Sequence, residues 1–215
     1  MIALLHYAYL KSLRDSSLIA FIIVPMFAPV AALSGVTLAR GHLHYPFYLN
    51  VQFSAVQNAT LASQITLAIC VFFAVIPAFW TFRPEIATRS IGAFFFGARP
   101  RTVTLALILF AFVIGLAGWI GAMAMIGALT SALPPHVAFM TLKVALGLLA
   151  ASALGTLLVT ISPQPGMIVG AYLGCVFLVA WIETSKSSLH LIAAVPVAIV
   201  CAALAAFFME RRCAS

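Results

Sequence analysis

RPEIATRSIGAFFFGARPRT, residues 83–102, is the one polar interruption of any size in this chain, and its reading decides the fold. It holds Arg83, Glu85, Arg89, Arg99 and Arg101 in a protein where only 7% of residues are charged. Pro84 and Pro100 bracket it, and Gly92 and Gly97 flank an apolar knot, Phe94-Phe95-Phe96. On each side lies an apolar run long enough to cross a bilayer, which takes about 20 residues of helix. Short loops kept in the cytoplasm are enriched in Lys and Arg, so four arginines place this stretch on the cytoplasmic side. The phenylalanine knot then needs an apolar surface to cover it, either the membrane interface or another protein.

Away from this stretch the composition points the same way. Of the 215 residues, 65% are hydrophobic, which leaves no room for a sizeable soluble domain beside the membrane part. The net charge of +7 is scattered over the ends of apolar runs and forms no single stripe, so nucleic acid is not an expected partner. Cys70, Cys175 and Cys201 lie within apolar runs and Cys213 near the C-terminus, a distribution that gives no disulfide framework. Lys11 and Arg14 precede an apolar run reaching Ala39, longer than the roughly 7–15 residues of a cleavable signal core. An uncleaved first span is expected.

The expected fold is all-α, one polytopic transmembrane domain over residues 1–215. Residues 1–16 alternate Leu4, Leu5, Tyr7 and Leu10 with His6, Lys11, Ser12 and Arg14, a pattern that fits a helix lying in the membrane interface. Six transmembrane helices follow, at about 17–39, 61–82, 103–129, 137–161, 167–182 and 191–209. The loop 83–102 lies between the second and third. Pro25 and Pro29 predict a kinked first span, which lipid-embedded helices tolerate. Gly115, Gly118 and Gly121 in the third span, and Gly166, Gly170 and Gly174 at the fifth, are candidate helix-packing positions, since small residues let helix backbones approach. The fifth span is the shortest, and either extends into Glu183 or is partly re-entrant. His42 and His44 in the aromatic first outer loop are too few ligands for a metal.

Charge fixes the expected orientation. With both termini cytoplasmic, Lys11, Arg14, Arg83, Arg89, Arg99, Arg101, Arg211 and Arg212 face inward and only Arg40, Lys143 and Lys186 outward. Several chemistries find no residues to carry them. None of Lys11, Lys143 and Lys186 follows a glycine, so the chain has no phosphate-cradling loop, and HExxH and GxSxG motifs are missing. No catalytic residue and no enzyme activity are expected. A transporter driven by protons or sodium usually holds carboxylates near the membrane midplane, and only Lys143 and Glu183 come near the hydrocarbon here, both at its outer edge. Energy for any transport has to come from elsewhere.

An N-terminal interfacial helix, six spans, and a basic segment ending Ala98-Arg99-Pro100-Arg101-Thr102 before the third span together resemble the membrane (permease) subunit of type-2 exporter-class ABC transporters. Arg83-Pro84-Glu85 and Arg89-Ser90-Ile91-Gly92 match the start of that family's short cytoplasmic coupling helix between spans 2 and 3. Phe94, Phe95 and Phe96 match its hydrophobic ridge, and Arg99-Pro100-Arg101 its exit. Ser90–Phe96 holds no carboxylate where members often have a second acidic residue, and the large external domain of some members is missing.

The resemblance implies a bacterial inner (plasma) membrane protein, working as a homo- or heterodimer of permease chains that encloses the pathway. A separate cytoplasmic ABC ATPase subunit is the implied partner, beside membrane lipids, and that partner carries ATP and Mg while this chain binds no cofactor. Glu85, Arg89, Gly92, Phe94, Phe95, Phe96, Arg99 and Arg101 become the residues coupling the two. The alternative is a non-transporting membrane scaffold or assembly component, similar to the permease-like proteins of cytochrome c maturation.

Overall fold

Apolar residues run almost unbroken through most of the chain, and in lipid each backbone N–H and C=O must be paired within its own segment. Helix is the form that achieves this without a partner strand. The computed structural model describes residues 2–14, 17–42, 54–87, 99–164, 166–184 and 194–214, and these hold helices and no strand. In chain order they are α1 (Ile2–Arg14), α2 (Ser17–His42), α3 (Ala55–Ala87), α4 (Pro100–Thr130), α5 (Val137–Ile161), α6 (Met167–Thr184) and α7 (Ala194–Ala214). Among the described residues, four segments are long and apolar enough to cross a membrane: Ala55–Pro77, Pro100–Thr130, Val137–Ile161 and Ala194–Arg212. Two shorter apolar stretches, Ile19–Ser34 and Met167–Ala180, lie in α2 and α6.

The largest departure from the sequence reading is α3, which begins at Ala55 where 61 was expected. A reciprocal cap explains the earlier start. Gln57 N donates to Ser54 Oγ at 3.3 Å while Ser54 N donates to Gln57 Oε1 at 2.8 Å, and such a box satisfies two otherwise orphaned donors of a helix N-terminus. At its other end α3 continues through Arg83-Pro84-Glu85 to Ala87, so the start of the expected 83–102 loop is helix. The end of that loop is helix too. Arg99 sits extended at the N-cap with φ −65° and ψ 138°, and Pro100 opens α4, the position where its fixed φ and missing N–H cost nothing. Residues 88–98, with the expected short coupling helix, lie outside the described residues. The 33 residues of α3 and 31 of α4, at about 1.5 Å each, make rods of roughly 45–50 Å. That is well beyond a hydrocarbon core of about 30 Å.

α4 and α5 are the central pair. α4 packs on α2, α3, α5 and α7, and α5 on α3, α4, α6 and α7; α1 leans on α2, α3 and α4. One cluster of buried apolar side chains reaches every helix, from Ala8 in α1 through Val75, Ile114, Leu148 and Cys175 to Met209 in α7. Trp119, an interface-anchor or pathway-wall candidate by its chemistry, is fully buried in α4 and donates from Nε1 to Thr141 Oγ1 at 3.3 Å. It is a core residue. α4 ends where Ser131 turns left-handed at φ 54°, and His136 does the same at φ 58° before α5.

The glycines sort themselves by what a Cβ would meet. At Gly115 it would lie 3.0 Å from Leu148, at Gly118 3.0 Å from Pro25, and at Gly121 3.1 Å from Met26. At Gly174 it would lie 2.8 Å from the tip of Leu154, whereas Gly166 and Gly170 have nothing within 4 Å. Among the described residues, nothing is close enough to touch a side chain added at either of those two. The closest backbone approach is at a glycine the sequence did not single out: a Cβ on Gly155 would stand 2.9 Å from Val75 O and 3.0 Å from Val75 Cα. That is where α5 crosses α3.

Buried hydroxyls are mostly satisfied inside their own helices. Thr66 donates to Ala62 O, Thr104 to Pro100 O, Thr156 to Ser152 O and Thr160 to Leu157 O, all at 3.1 Å or less. Ser152 Oγ is the exception, fully buried and without a hydrogen-bond partner. An unmet buried donor costs about 1–3 kcal/mol. Ser152→Ala is therefore expected to stabilise the protein by about 1 kcal/mol, read as a higher denaturant midpoint in micelles.

Candidate functional site

Five helix ends meet at one end of the bundle, and the candidate site is built from them. They are the ends of α3, α5 and α7 and the starts of α4 and α6. The residues responsible are arginines, long enough to reach across a helix diameter and able to donate in several directions. Arg83, near the end of α3, donates from Nε to Pro163 O in the turn between α5 and α6. Arg212, in the last turn of α7, donates from Nε to Thr160 O at 2.7 Å and from Nη2 to Ile161 O at 2.8 Å. Arg101, in the first turn of α4, pairs through Nε with Glu210 Oε1 of α7 at 3.1 Å.

The turn that receives Arg83, and the end of α5 before it that receives Arg212, have no cation of their own. Ser162-Pro163-Gln164-Pro165-Gly166 is uncharged, yet it follows the carbonyl end of a 25-residue helix. The last carbonyls of a helix have no intrahelical partner and carry the negative end of its dipole. Ser162 N takes Leu158 O at 3.0 Å, and the guanidinium groups of α3 and α7 take the next ones. Two apolar anchors reinforce the polar ones. Ile86 at the end of α3 and Val103 at the start of α4 are both buried in the main cluster. Further along α7, the Arg211 guanidinium lies over the Phe207 ring, 4.5 Å from its centroid.

The expected coupling residues are thus divided. Arg99 and Arg101 are exposed at the start of α4, with the Arg101 side chain 78% accessible despite its ion pair. Glu85 falls in the last turns of α3. Arg89, Gly92, Phe94, Phe95 and Phe96 lie outside the described residues. Glu210 and Arg212 are the charges that end the apolar run of the last span, and their bonds give them a second role. A signal for it existed: with four acidic residues in the whole chain, one placed among arginines invites a partner. Among the described residues, no group of three or more His, Cys, Asp or Glu is placed to hold a metal ion.

Comparison with known proteins leaves the reading to this geometry. No family model, curated protein or solved structure matches the chain. The arrangement ties the end of α3, through Arg83, and the start of α4, through Arg101, to the α5–α6 turn and to α7, and it leaves the guanidinium groups of Arg99 and Arg101 exposed.

Proposed function

We propose that this chain is the membrane-spanning permease subunit of an ABC-type exporter. In this reading it crosses the bacterial inner membrane six times with both termini in the cytoplasm, α2 and α6 contributing spans alongside the four long apolar segments. The segment between α3 and α4 docks on a cytoplasmic ATPase that binds ATP and Mg. One observation carries the reading: a basic segment bearing three consecutive phenylalanines joins the two longest helices, and both its flanks are tied to the opposite half of the bundle. A loop that only turned the chain would need no such ties. Purification of the chain from its native membrane tests the reading. An ABC ATPase subunit is expected in the complex, and a stable membrane assembly without any nucleotide hydrolase would favour the scaffold alternative.

The second permease copy is proposed to meet this one through α6. Among the described residues nothing lies within 4 Å of a Cβ placed at Gly166 or Gly170, and Val169, Leu173 and Phe177 beside them are exposed. Gly170→Ile is expected to lower the dimer fraction in liposomes at least tenfold, measured by single-molecule photobleaching, with the melting of the monomer unchanged. A wild-type dimer fraction in that variant would place the contact on another face.

A further inference from the structure

We propose that α7 holds an anionic phospholipid, with its phosphate on the Arg211 guanidinium and an acyl chain along Phe207, Leu204 and Val200. The site needs only that α7 cross a membrane, and it stands whether or not the chain serves an exporter. α7 is the least covered of the four membrane-length helices: 22% of its most apolar stretch is buried, against 50–67% in the others. Val197, Val200, Leu204 and Phe207 are all exposed, and their spacing of three and four residues sets them in one stripe along the helix. The next position on that stripe is Arg211, which is exposed as well. From Val200 to Arg211 the helix rises roughly 16 Å, at about 1.5 Å per residue. That is one leaflet's share of a hydrocarbon core about 30 Å thick. A lipid lying against the stripe therefore brings its headgroup to the level of Arg211.

Arg211 is set up to receive a phosphate. Its guanidinium lies over the Phe207 ring, 4.5 Å from the centroid, and Phe208 meets that ring edge-on at 5.7 Å. Stacking holds the guanidinium plane and leaves its N–H groups at the edge, where two of them can take two oxygens of one phosphate. Among the described residues, none accepts a hydrogen bond from those groups. A side chain already held on a ring loses less freedom when a ligand binds. The surrounding charge suits an anion. Arg99, Arg101 and Arg212 lie at the same end of the bundle, and Glu210 is paired with Arg101. A zwitterionic lipid carries its own cation into that field, and an anionic one does not. A second copy of this chain fits the stripe less well. With 11 basic and 4 acidic residues, it has few carboxylates to meet a guanidinium buried at the contact, and an unpaired buried charge is costly.

The test measures lipid preference on the full chain, purified and delipidated in maltoside micelles. Dioleoylphosphatidylglycerol and dioleoylphosphatidylcholine are titrated separately, and bound lipid is counted by native mass spectrometry. The native chain is expected to bind its first phosphatidylglycerol about tenfold more tightly than phosphatidylcholine, the ratio that one charge-assisted hydrogen bond supplies. Arg211→Gln is expected to remove most of that preference. Phe207→Leu, which keeps the stripe apolar but frees the guanidinium, is expected to fall between the two. Arg14→Gln, an equal loss of charge on α1, is expected to keep the native ratio. Equal affinity for the two lipids in the native chain overturns the proposal, as does an undiminished preference in Arg211→Gln or the same loss in Arg14→Gln. Displacement of the lipid by an equal concentration of glycerol 3-phosphate also overturns it, since the stripe would then contribute nothing. Should Arg211→Gln fold poorly, Phe207→Leu decides, and a native ratio there counts against the site. ATPase co-purification is a separate readout, so this site and the exporter reading are judged apart.

Discussion

Gly155→Ala is expected to destabilise the protein by about 1–3 kcal/mol, the usual range for inserting a methyl into a packed interior. Gly155→Leu is expected to leave little folded protein. The argument rests on what the new atoms meet. A Cβ at Gly155 falls 2.9 Å from Val75 O and 3.0 Å from Val75 Cα, and main-chain atoms in the middle of a 33-residue helix cannot rotate aside. α3 and α5 must separate, and the loosened seam runs beside Gly115, Leu148 and Ala74, where α4 joins the other two. Helix propensity works in the other direction, since alanine is better than glycine in a helix by up to about 1 kcal/mol. The crowding term has to exceed that, and against main chain it does.

Two other glycines act as internal controls. At Gly174 the obstructing atom is the tip of Leu154, which can change rotamer, so alanine there is expected to be near neutral. At Gly170 nothing is in the way, and alanine is expected to stabilise slightly through propensity alone. The measurement is helical circular dichroism through an SDS titration of the micellar protein for all three variants. If Gly155→Ala unfolded no earlier than Gly170→Ala, the tight crossing of α3 and α5 would be wrong.

That contrast shows what the sequence could and could not reveal. Composition and hydropathy were enough for an all-α chain with membrane-length helices, because an apolar run in lipid has one way to pair its backbone. α5 occupies 137–161, the range expected, because Pro134-Pro135 and Pro163 stop the helix at both ends. α3 was misjudged at its start because hydropathy fades among Gln57, Asn58 and Thr60, while the cap of Ser54 and Gln57 holds the helix there. Small-residue spacing marked Gly166 and Gly170 as readily as Gly115 and Gly118, since spacing records which residues permit close approach and not which ones meet a neighbour. Gly155, spaced four residues from Ala151 but with no glycine one turn away, was not singled out and makes the closest approach to another helix's main chain. The ties of Arg83 and Arg212 were legible only as charges at span ends. Their partners are carbonyls 51–80 residues distant, and every residue type supplies a carbonyl, so no pattern of side chains announces them.

Phe95→Asp is expected to abolish association with the ATPase while the chain still inserts and folds. Insertion depends on the long apolar helices, none of which the substitution touches, so a correctly assembled bundle should survive. Docking depends, in the proposed function, on three adjacent phenylalanines entering a cleft of the partner. Burying one such ring is worth about 1.5–3 kcal/mol. Asp forfeits that and adds the larger cost of carrying a carboxylate into an apolar site, which is several kcal/mol unless a cation awaits it. Together these correspond to at least about a thousandfold weaker binding, since each 1.4 kcal/mol is a factor of ten. Arg99 and Arg101, exposed beside the segment, would still attract an acidic partner surface, so encounter persists while the complex dissociates fast. Phe95→Leu separates apolar contact from ring shape: it keeps most of the buried area and is expected to bind within tenfold of the native chain. The competing role for the knot is an anchor in the headgroup region, where aromatics are common. An anchor predicts that Phe95→Asp shifts the depth of the segment in the bilayer and leaves partner binding intact. Quantitative pull-down of the ATPase from co-expressing cells decides between them, and undiminished recovery with Phe95→Asp removes the docking role.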